Sequence, residues 1–314
     1  MAAVVPLLSF CATNLNTRDR IEASLASIAA LGGAVEDSYE IVVAEGPSDD
    51  GASEWLTTES GRNPRLHVVR HTARNRGYGR RRAFEASHGR WIIPFDTSLL
   101  YSVEYGRILA RFAGFGSSKM LFSEICALPR ATVDASGGWR DLVGGEDVDL
   151  YARVIAKFGV VAYPTGAPTS QSATLDSYAR QMRYVRGGRF ARARRMYAVQ
   201  RDQMIASHAT IGDLMAFNRK KSLRARLARR AFFTLAAVGA GFSKIRPVEL
   251  GTNNYLLVRE GLFASFLAGD WKSLAPGGPS PRLPLTDDEF AFLESRSPFY
   301  QRHATELAPY LGRK

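Results

Sequence analysis

Four short apolar runs, each followed by a turn and a helical pattern, constrain this chain more than any other feature. They cover residues 4–10, 40–44, 66–70 and 91–95. After the first run, Ile21, Leu25, Ile28 and Leu31 recur at helical spacing, and Gly32-Gly33 closes the segment. Asp19-x-x-Glu22 reads as the capping-box-like start of that helix. After the second run, the turn at residues 46–51 feeds a helix through Trp55 and Leu56. After the third, an arginine- and glycine-rich loop at residues 74–79 opens a helix that ends at Gly89. Strands separated by helices must cross over rather than form hairpins. A mostly parallel sheet with helices on both faces is therefore expected. A helix over 102–112 and strands over 120–123 and 125–128 continue the pattern.

The pattern changes after Tyr163. Residues 164–174 read as a turn-rich connector, and residues 178–208 as one basic helix or two. A basic block at 219–230 runs into the apolar stretch 231–242, and a Pro/Gly-rich linker at 276–284 precedes a last helical segment. The expected division is an α/β core over residues 1–165 and a mainly helical, basic extension over 166–314. The net charge of +12 favours polyanions: nucleic acid, anionic lipid or phosphate-bearing small molecules. Cys11 and Cys126 are the only cysteines, which excludes a disulfide framework or a zinc site and suits a reducing, cytoplasmic compartment. The apolar opening reads as a buried strand rather than a secretion signal, because no basic leader precedes it. No apolar run reaches the roughly 18–20 residues that span a bilayer.

In an open α/β sheet, ligands bind outside the carboxyl ends of the strands. The residues expected there are Thr13, Asn14 and Asn16 after the first strand, and Glu45, Ser48 and Asp49 after the second. The 74–79 loop follows the third, and Asp96-Thr97-Ser98 the fourth. Further on, Gly144-Gly145-Glu146-Asp147-Val148-Asp149 places three carboxylates at a helix start. They are either favoured there by the helix dipole or face a cleft and take a proton. Trp139 is either a platform for a sugar or a core residue. The five histidines show no metal-ligand spacing.

Taken in order, these landmarks resemble the inverting family 2 glycosyltransferases of GT-A fold, over roughly the first half of the chain. The resemblance implies a nucleoside-diphosphate sugar donor, UDP- or GDP-linked, and an acceptor hydroxyl such as the end of a lipid-linked or growing glycan. Asp147 would then be the general base, and Glu146 would position the loop or contact the acceptor. Thr13, Asn14, Asn16 and Glu45 would meet the nucleobase, and Asn75-Arg76-Gly77 would match the family's Asn-x-Gly loop. Asp96-Thr97-Ser98 stands where the family carries Asp-x-Asp, which contacts the donor and a divalent metal, Mn or Mg. Ser98 removes one hard ligand, so either Asp96 holds the metal weakly or the metal is dispensable. In the second case, arginines of the 74–82 stretch, or Arg183 and Arg186, would neutralise the leaving diphosphate. The basic extension would either rest on an anionic membrane face or pack on the core. Two other readings stand beside this one. A basic nucleic-acid-binding protein lacks a recognisable module here. A sugar nucleotidyltransferase would carry glycine after the first strand, and residues 13–20 contain none.

Overall fold

A computed structural model describes residues 7–31, 39–115, 118–122, 126–163, 170–172, 184–185, 187–207, 210–212 and 222–246, with single positions at 215, 248, 283, 286–288, 291 and 295. The parallel half of the sheet is built from β1 (Leu8–Asn14), β2 (Tyr39–Glu45), β3 (Leu66–Arg70) and β4 (Trp91–Pro94). Three crossover helices join these strands: α1 (Arg18–Ala30), α2 (Ala52–Arg62) and α3 (Arg76–Ala86). Next come β5 (Leu99–Tyr101), α4 (Val103–Gly114), β6 (Met120–Phe122) and β7 (Cys126–Pro129). They are followed by α5 (Arg130–Ala135), α6 (Glu146–Phe158), β8 (Val160–Ala162) and β9 (Ser170–Ser172). Two long helices, α7 (Arg189–Ser207) and α8 (Leu223–Gly241), complete the described elements.

The main sheet has seven strands in the order β3-β2-β1-β4-β7-β6-β8. β7 is antiparallel to both β4 and β6, whereas β6 and β8 are parallel. This is a mostly parallel sheet flanked by helices, as the alternating pattern predicts. β1 lies in the middle and is buried along its whole length, so its side chains alternate between two cores. Leu8, Phe10 and Ala12 join one cluster with Ile41, Ile93 and Tyr105, while Cys11 joins another with Val42, Ile92 and Trp139. Each fully buried aliphatic side chain contributes roughly 1.5–3 kcal/mol.

Several local expectations need correction. The first strand runs on to Asn14, so Thr13 and Asn14 are strand residues paired with Ala44 and Glu45, not turn residues. The cause is tertiary, because β1 is flanked on both sides and its ladder extends as far as its neighbours reach. Asp19 does not cap α1; Thr17 holds the N-cap position, and the Arg18 amide donates instead to the Asp50 carboxylate at 2.8 Å. β5 and α5 carried no sequence signal. The 164–174 connector contains a strand, β9, which pairs antiparallel with β5, so the chain beyond residue 165 is tied to the core. Gly32 and Gly33, as well as residues 4–6, lie outside the described residues.

α7 docks on the turn before α6. The buried Asp202 carboxylate accepts from the Val143 amide at 2.6 Å and pairs with Arg201 at 2.6 Å. A Cβ on Gly145 would come within 2.9 Å of Ala206, and Gly145 has φ 75°, so both contact and conformation demand glycine. α8 packs on α7 through Met204, Phe233 and Ala236.

Candidate active site at the carboxyl ends of the strands

The first turn of α6 carries Glu146 and Asp147 into opposite environments. Asp147 keeps 23% of its side chain exposed and is held from two sides. Its Oδ1 accepts from Trp139 Nε1 at 2.8 Å, and its Oδ2 accepts from Arg80 Nη2 at 3.3 Å. Glu146 is 1% exposed and ion-paired with Arg76 at 2.9 Å. That contact lacks hydrogen-bonding geometry, and neither carboxylate oxygen has a hydrogen-bond partner among the described residues. Burial pushes the Glu146 carboxyl upward; Arg76 opposes this, and the neighbouring Asp147 charge adds to it. One acid of the pair is thus oriented and open, and the other is enclosed.

The cations come from α3. Asn75 caps that helix, its Oδ1 accepting from the Tyr78 amide at 3.3 Å. Arg76 and Arg80 are four residues apart and so share one helix face. Arg80 is 5% exposed. It donates to the Cys11 carbonyl at 3.0 Å and the Phe95 carbonyl at 2.6 Å, and reaches Asp147 with its other nitrogen. A single guanidinium therefore joins the middle of β1 and the end of β4 to the first turn of α6. Burial works against the charge of Arg76, but Glu146, Tyr184, Asp147 and Asp96 outweigh it and hold the guanidinium firmly protonated. Tyr184 completes the cluster: burial raises its hydroxyl pKa, and it interacts with Arg76, Asp96, Glu146 and Arg195.

Asp96 sits at the end of β4, with its Oδ1 accepting from the Ser98 amide at 2.9 Å and the Ser98 hydroxyl at 2.6 Å. Burial raises its carboxyl, but Arg76, the two Ser98 donors and Arg80 prevail and keep it below its ordinary value. Ser98 therefore serves as a donor to Asp96. Among the described residues no group of three His, Cys, Asp or Glu side chains could hold a metal ion. A hard divalent cation seeks about six oxygens. One carboxylate, already bonded by Ser98 and attracted by two guanidiniums, does not fit a protein-held divalent site.

The residues expected at the nucleobase fall into two groups. Asn14 and Glu45 are buried and bonded to each other, Asn14 Nδ2 donating to Glu45 Oε2 at 2.6 Å, while Ser53 donates to Glu45 Oε1 at 2.9 Å. Burial raises the Glu45 carboxyl; hydrogen bonds from Ser48, Asn14 and Ser53 offset part of that. Asn14 Oδ1 also accepts from Thr97 at 2.9 Å and from Thr17, which knits β1, β2 and the Asp96 turn together. Asn16, in contrast, stands in the turn with φ 54°; it accepts from the Asp49 amide at 2.9 Å and donates to Ser48 at 2.9 Å. Thr13 packs against Gly79, where a Cβ would come within 2.0 Å of its hydroxyl. Gly77 is also a packing requirement, because a Cβ there would lie 2.0 Å from the Arg140 carbonyl. Arg183 and Arg186 lie outside the described residues.

Trp139 is 1% exposed, so it is a core residue and cannot be an acceptor platform. Its indole nitrogen nevertheless reaches Asp147. Asp149 is also more than a helix-start carboxylate. It pairs with Arg153 at 2.7 Å and Arg140 at 3.3 Å, and Arg153 donates to the Gly138 carbonyl at 2.7 Å and to the Ser136 carbonyl. These bonds hold the 136–140 loop that presents Trp139. The sequence singled out Trp139 and the arginines of the 74–82 stretch, Arg80 among them, but for other tasks; their hydrogen bonds to Asp147 carried no sequence signal.

The chain matches the family described as Glycosyl transferase family 2 over residues 9–114. The matched segment is about a third of the chain and is similar to that family. It contains β1 to β4 with Arg76, Arg80 and Asp96, while Glu146 and Asp147 follow outside it. Comparison with curated protein sequences gives no match. Among solved structures, the chain is similar to the mannosyltransferase PcManGT from Pyrobaculum calidifontis, solved with GDP-Man and Mn2+. The identity is 15%, the TM-score 0.48, and the match covers 77% of this chain and 89% of that one. It is also similar to S. aureus TarS 1-349 in complex with UDP-GlcNAc, at 13% identity and TM-score 0.48, covering 86% and 81% of the two chains. At such scores neither structure defines a ligand for this chain.

Proposed function

We propose that this protein is an inverting glycosyltransferase that moves a sugar from a UDP- or GDP-sugar to an acceptor hydroxyl. The observation that carries the reading is the setting of Asp147. Its carboxylate is oriented by Trp139 and Arg80, remains partly open, and stands beside the fully enclosed Glu146. In this reading Asp147 Oδ2 takes the proton of the attacking hydroxyl as that oxygen bonds to the anomeric carbon. The bond from that carbon to the diphosphate oxygen breaks in the same displacement, and the charge passes to the leaving diphosphate. Arg76, between Glu146 and Asp96, is the cation best placed to meet that charge. Glu146 keeps Arg76 in position, and Asp96 with its Ser98 donors fixes the donor side.

Asp147→Asn is expected to melt like the wild type, retain nucleotide binding, and lose about 10²–10⁴-fold in transfer. A thermal-shift screen of UDP, GDP and their sugars, with and without manganese, identifies the donor. Charge neutralisation by arginine predicts the same ligand shift and turnover in excess chelator. Turnover that survives in Asp147→Asn removes that residue as base, and strict dependence on a divalent ion removes arginine as the sole neutraliser.

Support for a peripheral contact with an anionic membrane comes from α8. Leu223, Leu227, Leu235 and Val238 are exposed along the helix, with Phe242 just beyond it, and Arg224, Arg226 and Arg230 are exposed in its first turns. No helix among the described residues is long and apolar enough to cross a membrane. α8 would lie in the headgroup plane.

A further inference from the structure

A cavity of about 700 Å³ lies between the 74 loop, Val143, Tyr184 and the first half of α7. This volume is typical of a small-molecule site. Among its described lining residues are Arg74, Arg194 and Arg195, the rings of Tyr184 and Phe190, and no carboxylate. Arg195 is fixed: it donates to the Arg74 carbonyl at 2.9 Å and the Val143 carbonyl at 3.3 Å, and its guanidinium lies 4.7 Å from the centre of the Tyr184 ring. Burial brings its pKa down to about 10, which still leaves it charged at neutral pH. Arg194, next to it, is exposed and makes no hydrogen bond or ion pair among the described residues. Phe190 is 91% exposed at the start of α7. A planar cation and an aromatic face side by side suit a ligand with both an anionic group and a sugar ring.

Tyr184 forms the wall shared with the catalytic cluster, since it interacts both with Arg195 and with Arg76, Asp96 and Glu146. In the proposed transfer the donor's diphosphate falls to Arg76. The cations of the cavity are left for the second substrate. We propose that this cavity is an acceptor subsite for a saccharide bearing phosphate or carboxylate groups, with Arg194 and Arg195 taking the anion and Tyr184 and Phe190 the sugar faces. The proposal rests on the glycosyl-transfer reading for its word acceptor, but not for the charge of the ligand.

Calorimetric titration of the full chain separates the two. The probes are a phosphorylated maltooligosaccharide, an oligogalacturonate and a neutral maltooligosaccharide, each with and without UDP or GDP. At least one anionic oligomer binds, its affinity falls with added salt, and the neutral one does not bind; the two anionic arms tell phosphate from carboxylate. Arg194→Gln weakens that binding about tenfold, as expected for loss of a charge-assisted hydrogen bond. Arg194→Lys restores most of it, and neither variant changes the rate of donor hydrolysis. Equal binding of neutral and anionic oligomers, binding of none, or an Arg194→Gln variant that binds as tightly as wild type overturns the proposal. Absence of donor hydrolysis in the wild type, with selective anion binding intact, overturns the transferase reading alone.

Discussion

At Asp147 two unlike donors meet one carboxylate, and the difference between them governs what each can be tested for. Arg80 is bound to the Cys11 carbonyl within β1 and the Phe95 carbonyl after β4 as well as to Asp147, so its removal disturbs the sheet and the site together. Trp139 contributes a buried ring and one N–H, and these can be separated. Trp139→Phe keeps most of the packing and deletes the hydrogen bond to Oδ1. A hydrogen bond to a charged group is worth about 1.5–3 kcal/mol, so kcat should fall by about tenfold or more. The KM for the donor should stay unchanged, since Trp139 lies on the acceptor side of the proposed chemistry. A loss confined to KM would show that the indole does not position the base. Residue types were legible at this scale, but their partners were not. Trp139 offered two readings in sequence, and both missed its bond to a residue eight positions on, which arises only when the 136–140 loop is folded back by Asp149 and Arg153.

At the scale of elements, periodicity carried the core strands and helices, because side-chain alternation and helical spacing are local properties. It failed where neighbours decide. β5 and β9 are three residues each and exist by pairing with each other, although they lie far apart in the sequence. β1 extends to Asn14 because β2 extends to Glu45 beside it. α8 joins the basic and apolar stretches into one amphipathic helix whose buried side, with Phe233 and Ala236, packs on α7. Its opposite side carries Leu227, Leu235 and Val238. Full-length protein is expected to sediment with anionic vesicles and to be released by salt. A Leu227→Gln, Leu235→Gln pair should reduce the bound fraction several-fold, with the melting temperature nearly unchanged because both sites are exposed. Equal binding to neutral vesicles would remove the electrostatic part of that contact.

For the whole molecule, the two ends of the sheet divide the work. The carboxyl ends gather Arg76, Arg80, Asp96 and Asp147, while the opposite end is closed by Glu40. Glu40 accepts from Ser9 at 2.5 Å, from the Gly89 amide at 3.1 Å and from the His88 amide, which ties β1, β2 and the entry to β4. Burial raises its carboxyl, but these donors outweigh it and leave the pKa below the ordinary 4.5. A depressed carboxyl stabilises the fold above its unfolded value, and that stability disappears as pH falls through the lower, folded value. Glu40→Gln should therefore cost about 2 kcal/mol near neutral pH. Its melting curve should approach that of the wild type as pH falls below 4.5. A gap that stays constant down the acid range would show that the Glu40 charge is not what is lost.

The sequence by itself determined the alternating α/β order, the basic charge and the identity of the acids at the strand ends, since all three are properties of local pattern and composition. Only the tertiary structure decided which acid is open and which is enclosed, that Ser98 serves Asp96, and that Arg80 ties β1 and the end of β4 to Asp147. Desolvation and hydrogen-bond geometry depend on residues far apart in the chain. Glu146 and Asp147 are adjacent in sequence, yet the folding of α3 and the 136–140 loop around them gives one an ion pair in the interior and the other an oriented face toward the solvent.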